Sequence, residues 1–198
     1  MRPDGNARPD YVEAFVALAK RIETAITGTP KRALPIRMVV AGGAAMHFYT
    51  GERVSRDVDA TFSRRIALPD DLEVAYRDAD GAARLLYFDR QYNDNFALLH
   101  EDAYEDSKPL VLKGIDAKVL EVRLLTPVDL ATSKLGRFSS HDRDDIAALA
   151  RRRLIDSAGL HRRAAQALGG YVGDVSRLRD AIDIACRIVD DERKRRGK

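Results

Sequence analysis

Residues Val39–Phe62 read VVAGGAAMHFYTGERVSRDVDATF: an apolar run, two glycines, a helix-length segment and then two aspartates one residue apart. The apolar run Met38–Ala41 delivers the chain directly to Gly42 and Gly43. Glycine lets a backbone bend sharply and come close to a ligand with no Cβ in the way. A helix predicted to begin there turns its unpaired N–H groups and the positive end of its dipole outward, a setting that suits phosphate. Thirteen residues separate Gly43 from Asp57. In an extended strand Asp57 and Asp59 point to the same face. Paired carboxylates of that kind suit Mg²⁺, which is commonly held by one or two carboxylates plus the phosphates of a substrate.

The rest of the sequence sets bounds on what this stretch can serve. A chain of 198 residues with 33% charged and 45% hydrophobic residues fits one soluble globular domain, or a compact domain with a helical extension. No apolar run approaches the roughly 20 residues of a membrane span, and MRPDGNARPD lacks the apolar core of a signal peptide, so the expected location is cytoplasmic. Cys186 is the single cysteine and is expected to be a small core residue. The net charge of +3 and pI near 9.0 permit a phosphate-rich partner without requiring one. The tail Arg193–Arg196 reads as a solvated basic run. Four scattered histidines give no zinc spacing.

In chain order, a disordered opening is predicted to about Pro9, then a helix with Val12, Phe15, Val16, Ala19, Ile22 and Ile26 on one face, stopped by Gly28-Thr29-Pro30. A strand at Ile36–Ala41, a helix from Gly42 to about Tyr49 and a strand at Val58–Phe62 follow. Next come a short helix at Asp70–Arg77 introduced by Pro69, and a strand at Leu85–Phe88. Asn93-Asp94-Asn95 reads as a turn, Phe96–Leu99 as a strand, and Pro109–Leu112 with Ala117–Leu125 as a hairpin around Gly114. Everything after Leu125 is predicted helical. In the last helix Val175, Leu178, Ile182, Ala185 and Val189 form a stripe widened by Ile184 and Ile188, suited to packing within the chain or against a second copy.

A second constellation follows Leu125. Thr126-Pro127-Val128-Asp129 is a helix start with Thr as cap, Pro at the first position and an acid in the first turn. Asp129, Ser133 and Arg137 are expected on one face, and Leu130, Lys134 and Phe138 on its neighbour. Lys134 either snorkels among apolar residues or presents a cation to a triphosphate. On the next helix, predicted to begin at His141, Asp142 and Asp145 share a face with Ile146 or Leu149 while Asp144 points away. Asp142 is open to two roles, an N-terminal cap or a carboxylate that orients Lys134 or deprotonates an acceptor hydroxyl. Glu121 and Asp102 are the options for a third carboxylate, with a water-facing strand glutamate the plainer reading of Glu121. His100 and Tyr104 are expected to be a polar loop residue and a packed edge.

Taken together these stretches resemble the nucleotidyltransferase superfamily of polymerase β-like fold. Ala41-Gly42-Gly43 and Asp57-Val58-Asp59-Ala60 match its apolar-Gly-Gly/Ser and Asp-apolar-Asp/Glu-apolar elements. Arg53-Val54-Ser55-Arg56 adds the Arg-x-Ser/Thr-x-Asp-x-Asp form of the AbiEii-like toxins and related bacterial nucleotidyltransferases. Residues 126–137, TPVDLATSKLGR, resemble the SPEDL…KLxR stretch of those families. His141-Asp142-Arg143-Asp144-Asp145-Ile146 resembles their Arg/Lys-Asp-x-x-Asp-Ile/Leu signature, with His141 in place of the basic residue.

The resemblance covers roughly Met38–Leu154 and implies an α/β (α+β) fold, a mixed sheet flanked by helices in residues 1–125, with a C-terminal helical bundle in 126–198 completing the site. It implies Mg²⁺ on Asp57 and Asp59, NTP phosphates on Gly42 and Gly43 with contacts from Arg53 and Ser55, Lys134 on the leaving pyrophosphate, and catalytic roles for Asp142 and Asp145. It further implies an RNA acceptor such as a tRNA 3′ end, and a toxin restrained by an antitoxin; separately, the stripe on the last helix is compatible with a monomer or a homodimer. The alternatives are an enzyme that nucleotidylylates a partner protein, and a non-catalytic module that binds nucleotide or nucleic acid.

Overall fold

A computed structural model of the chain describes residues 7–92 and 97–195. The turn expected at Asn93–Asn95, Phe96 and most of the segment before Pro9 lie outside the described residues, and Ala97–Leu99 form no strand. The elements run α1 (Pro9–Ala25), β1 (Ile36–Val40), α2 (Gly42–Thr50), β2 (Asp57–Val58), β3 (Ala60–Phe62), β4 (Glu73–Arg77) and β5 (Ala83–Phe88). They continue with the single turn α3 (Ala103–Asp106), then β6 (Lys108–Pro109), β7 (Leu120–Leu124), α4 (Pro127–Ser133), α5 (Ser140–Arg151), α6 (Ser157–Ala167) and α7 (Val175–Arg195). No helix among the described residues is long and apolar enough to cross a membrane. The mixed α/β class with C-terminal helices is the expected one.

The chain divides into two compact units. One comprises the described residues up to Tyr92 together with Ser107–Leu125; the other comprises those from 97 to Asp106 and from Thr126 onward. The first contains two sheets, ordered β3-β1-β7-β6 and β2-β5-β4. β1 is antiparallel to β3 and parallel to β7, and β2 is parallel to β5, which is antiparallel to β4. β6 and β7 make the expected antiparallel pair, although β6 ends at Pro109.

Two expectations in this unit are corrected. Val58–Phe62 is not one strand: Asp57–Val58 belongs to the second sheet and Ala60–Phe62 to the first, with Asp59 at the crossing. Nor is Asp70–Arg77 a helix. Glu73-Val74-Ala75-Tyr76-Arg77 alternates exposed and half-buried residues with the period of two that a strand requires, and it pairs along its whole length with β5. The buried face of α1 is also rotated from the predicted one. Tyr11, Ala14, Phe15, Leu18, Ala19 and Ile22 are buried, whereas Val12 and Val16 are only half-buried.

In the second unit α7 packs against α5 and α6, and α4 against α6 and α5. Leu178, Ala181, Ile182, Ala185 and Val189 form the buried stripe of α7, so packing within the chain covers it, and Ile184 stays exposed. Cys186 is half-buried against the Ser157 carbonyl, and burial raises its thiol pKa, as befits a packing residue. Helix α4 ends at Ser133, with Lys134 at its C-cap, so Arg137 and Phe138 do not continue its faces as expected. The chain instead turns through Phe138, whose φ of 51° is unusual for a residue other than glycine, into the cap of α5.

Candidate active site

β1 carries the chain along the middle of its sheet to Ala41, whose N–H donates to the Asp59 carbonyl at 2.8 Å. The next residue, Gly42, opens α2 with φ of +55°, a conformation that side chains disfavour. A Cβ on Gly42 would also overlap Asp59 Oδ2 and lie 2.8 Å from its Cγ. At Gly43 a Cβ would overlap Ser55 Oγ and lie 2.7 Å from Ser55 Cβ, with Arg53 Nε at 3.5 Å. Both glycines are therefore demanded by side chains of the acidic stretch, and the α2 N-terminus, Arg53, Ser55 and Asp59 form one corner. Buried Ser55 donates its hydroxyl to Asp57 Oδ1, fixing that carboxylate.

His47, four residues along α2 from Gly43, holds the loop that carries Arg53 and Ser55. Its ring is fully buried; Nε2 accepts from the Arg8 N–H at 3.0 Å, and Nδ1 is 2.6 Å from the Arg53 carbonyl. An Nε2 that accepts leaves the proton on Nδ1, which therefore donates to Arg53. Burial lowers the His47 pKa against the raising effect of the Arg53 carbonyl, consistent with a neutral ring. Tyr11 packs on that ring at 4.4 Å between centroids, and its buried hydroxyl has no partner among the described residues. Burial, with Tyr76, Asp57 and Asp59 adding to it, raises the Tyr11 pKa strongly. None of this is legible in the sequence, because the groups that His47 joins are backbone N–H and C=O.

Among the described residues no group of three or more His, Cys, Asp or Glu side chains is arranged to hold a metal. Asp59 lies against Gly42, and Asp57 is held by Ser55, which lies against Gly43, so the α2 N-terminal corner offers two carboxylates. That fits Mg²⁺ shared with substrate phosphates and water, and does not fit a fully protein-liganded ion. Glu121 is not a third member. It stands level with Arg37, four residues down β1 from Ala41, or about 13 Å along the strand from the Asp59 level. There it pairs with Arg123 Nη1 at 2.6 Å and approaches Arg37 Nε at 4.0 Å. Asp102 belongs to the second unit, where its N–H donates to His100 Nδ1 at 3.1 Å.

The second unit gathers the other predicted residues. Lys134, 7% exposed, donates from Nζ to Asp145 Oδ2 at 2.6 Å and lies 3.9 Å from Asp142 Oδ1. Asp142 accepts both Arg137 Nε at 2.9 Å and Nη2 at 2.8 Å, and closes a capping box with Ser139, the N-cap of a helix that begins one residue before His141. Burial would raise the Asp142 carboxyl, but Arg137, the Ser139 hydroxyl and N–H, and Lys134 outweigh it and hold it at about 2. Asp144 is exposed, as expected. Asp129, fully buried, accepts from Thr126 Oγ1 and from Arg163 Nε, both at 2.6 Å.

A protein-family model described as "Nucleotidyltransferase of unknown function (DUF6036)" matches residues 13–187. No curated protein matches the chain. No solved structure matches it either.

Proposed function

Because the chain belongs to the DUF6036 family of nucleotidyltransferases, we propose that it transfers a nucleoside monophosphate from an NTP to an acceptor hydroxyl, with Asp57 and Asp59 at the centre of the reaction. The observation that carries this reading is the fit of Gly42 to Asp59 and of Gly43 to Ser55, which locks a helix N-terminus beside an acidic pair. In the transfer the acceptor oxygen bonds to the α-phosphorus as its hydroxyl proton passes to solvent, the bond from that phosphorus to the bridging oxygen of the β-phosphate breaks, and pyrophosphate leaves.

Asp57 and Asp59 would hold Mg²⁺, which when bound supplies charge neutralisation on the triphosphate and a lower pKa for the attacking hydroxyl. Ser55 keeps Asp57 in one rotamer through its hydrogen bond. The first N–H groups of α2 suit the phosphates, and Arg53 adds a cation beside them. The resemblance to the AbiEii-like families assigns Lys134 to the charge that develops on pyrophosphate; within the second unit Asp145 and Asp142 hold its ammonium. The resemblance to AbiEii-like toxins supports RNA as the acceptor and an antitoxin as the restraining partner.

The test is transfer of α-³²P label from each of the four NTPs, with Mg²⁺, onto total RNA and onto cell protein. Wild type is compared with Asp57→Ala, Lys134→Ala and Lys134→Arg. Label on RNA that is lost in Asp57→Ala and in both Lys134 variants is the expected result. Label confined to protein would replace RNA with a protein hydroxyl as acceptor, and no label from folded wild type with any NTP would overturn the transferase reading.

A further inference from the structure

The second sheet has one covered and one open face, and its register puts an aromatic ring beside Asp57. Asp57 on β2 is the direct partner of Tyr87 on β5, and Tyr87 is in turn the direct partner of Glu73 on β4. Directly paired residues share a sheet face, with Cβ atoms about 5 Å apart. Asp57, Tyr87 and Glu73 therefore form one row across the sheet. The next row on the same face pairs Leu85 with Ala75.

The residues of opposite parity, Val58, Leu86 and Phe88, are 0%, 0% and 6% exposed. They mark the inner face, to which Tyr76 also belongs, and there Tyr76 meets Tyr11 of α1 edge to face at 6.4 Å between centroids. On the outer face Tyr87 is 39% and Leu85 42% exposed. Both side chains leave apolar surface open to solvent that burial against another element would have covered. A small residue, Ala75, keeps the ground beside Leu85 low.

Resting on the nucleotidyl-transfer reading of Asp57, we propose that Tyr87, backed by Leu85, is a stacking platform for a nucleobase whose phosphate is handled at Asp57. An aromatic face takes any base by its π-surface, and an apolar neighbour extends the contact without imposing a hydrogen-bond pattern. The chemistry recognised is the base itself, whether it belongs to the NTP or to the end of an acceptor strand.

The chain contains no tryptophan, so Tyr87→Trp creates a unique fluorophore at the platform. Saturable quenching by an NTP with Mg²⁺, and none by inorganic tripolyphosphate with Mg²⁺, is the expected result and assigns the base to the nucleotide. Quenching by a short single-stranded RNA alone, with none by NTPs, also supports the platform and assigns the base to the acceptor. Alongside, Tyr87→Ala is expected to raise the KM of the stacked substrate about 5- to 150-fold, while Tyr87→Phe stays near wild type. Absence of quenching by all four NTPs and by RNA, with KM unchanged in Tyr87→Ala, overturns the platform even if Asp57-dependent transfer is intact. Quenching without any transfer keeps the platform and sinks the transferase reading instead.

Discussion

At the scale of single residues, Gly42 and Gly43 carry different constraints. Gly42 combines a left-handed backbone with an occupied Cβ position, so Gly42→Ala strains the backbone and displaces the Asp59 carboxylate together. A left-handed non-glycine residue costs about 1–3 kcal/mol, and a carboxylate moved by 1 Å loses transfer on the order of 100-fold. Gly43 has no such backbone demand, yet its Cβ would meet the Cβ of Ser55, which cannot swing away. Gly43→Ala is therefore expected to lower transfer by a similar factor with a smaller loss of stability. Gly28→Ala is the control. Nothing lies within 4 Å of its Cβ position, so both measurements should stay at wild type. Urea unfolding with the label assay separates the three; equal behaviour of Gly43→Ala and Gly28→Ala would remove the packing explanation.

At the scale of elements, the ends of the helices do the positioning in the second unit. Asp129 sits in the first turn of α4, capped by Thr126, and reaches Arg163 of α6 through two hydrogen bonds. Breaking a buried pair leaves a desolvated charge and typically costs about 3–5 kcal/mol. Arg163 keeps a second partner in Asp106 at 2.7 Å, which puts Asp129→Ala at the lower end, about 3 kcal/mol by urea unfolding. A loss below about 0.5 kcal/mol would mean that the pair does not hold α4 to α6.

The caps were legible beforehand, because Thr126-Pro127-Val128-Asp129 and the Gly-Gly to Asp-x-Asp spacing are local chemistry written in consecutive residues. What was not legible was set by partners distant in sequence. Pro69-Asp70-Asp71 imitates a helix start, while the strand character of Glu73–Arg77 is settled by pairing with β5. Asp57 and Asp59, two residues apart on paper, part company because Asp57 joins the second sheet opposite Tyr87 while Asp59 stands at the crossing, its carbonyl accepting from the Ala41 N–H. The Lys134 partners follow from a helix that stops at Ser133, a boundary no apolar period marks.

At the scale of the whole molecule, three titrations give a stability profile with a separate cause on each slope. His47 is a base whose folded pKa lies below its ordinary 6.5, because burial and the Arg8 charge resist the added proton while the Arg53 carbonyl and Asp10 favour it. The unfolded chain then binds more protons than the folded one as pH falls below about 6.5, so stability is lost on that descent. Asp142 acts in the same direction further down: the unfolded carboxyl protonates near 3.8 and the folded one near 2, so its contribution is present above 3.8 and lost toward 2. With Arg137 largely in solvent, that step is on the order of 1–2 kcal/mol. Tyr11 closes the alkaline side. Its folded pKa is raised by burial, so its contribution is complete below 10 and lost as pH climbs past it. His47 and Tyr11 belong to the first unit and Asp142 to the second. Hydrogen exchange resolved by residue should therefore show the amides of β1 and α2 losing protection first as the pH falls below 6.5, with those of α5 holding until the pH falls below about 3.8. His47→Gln keeps a donor and an acceptor but does not titrate, and it should flatten the first loss while leaving the second. An unchanged profile in that variant would assign the acid slope of the first unit to other groups.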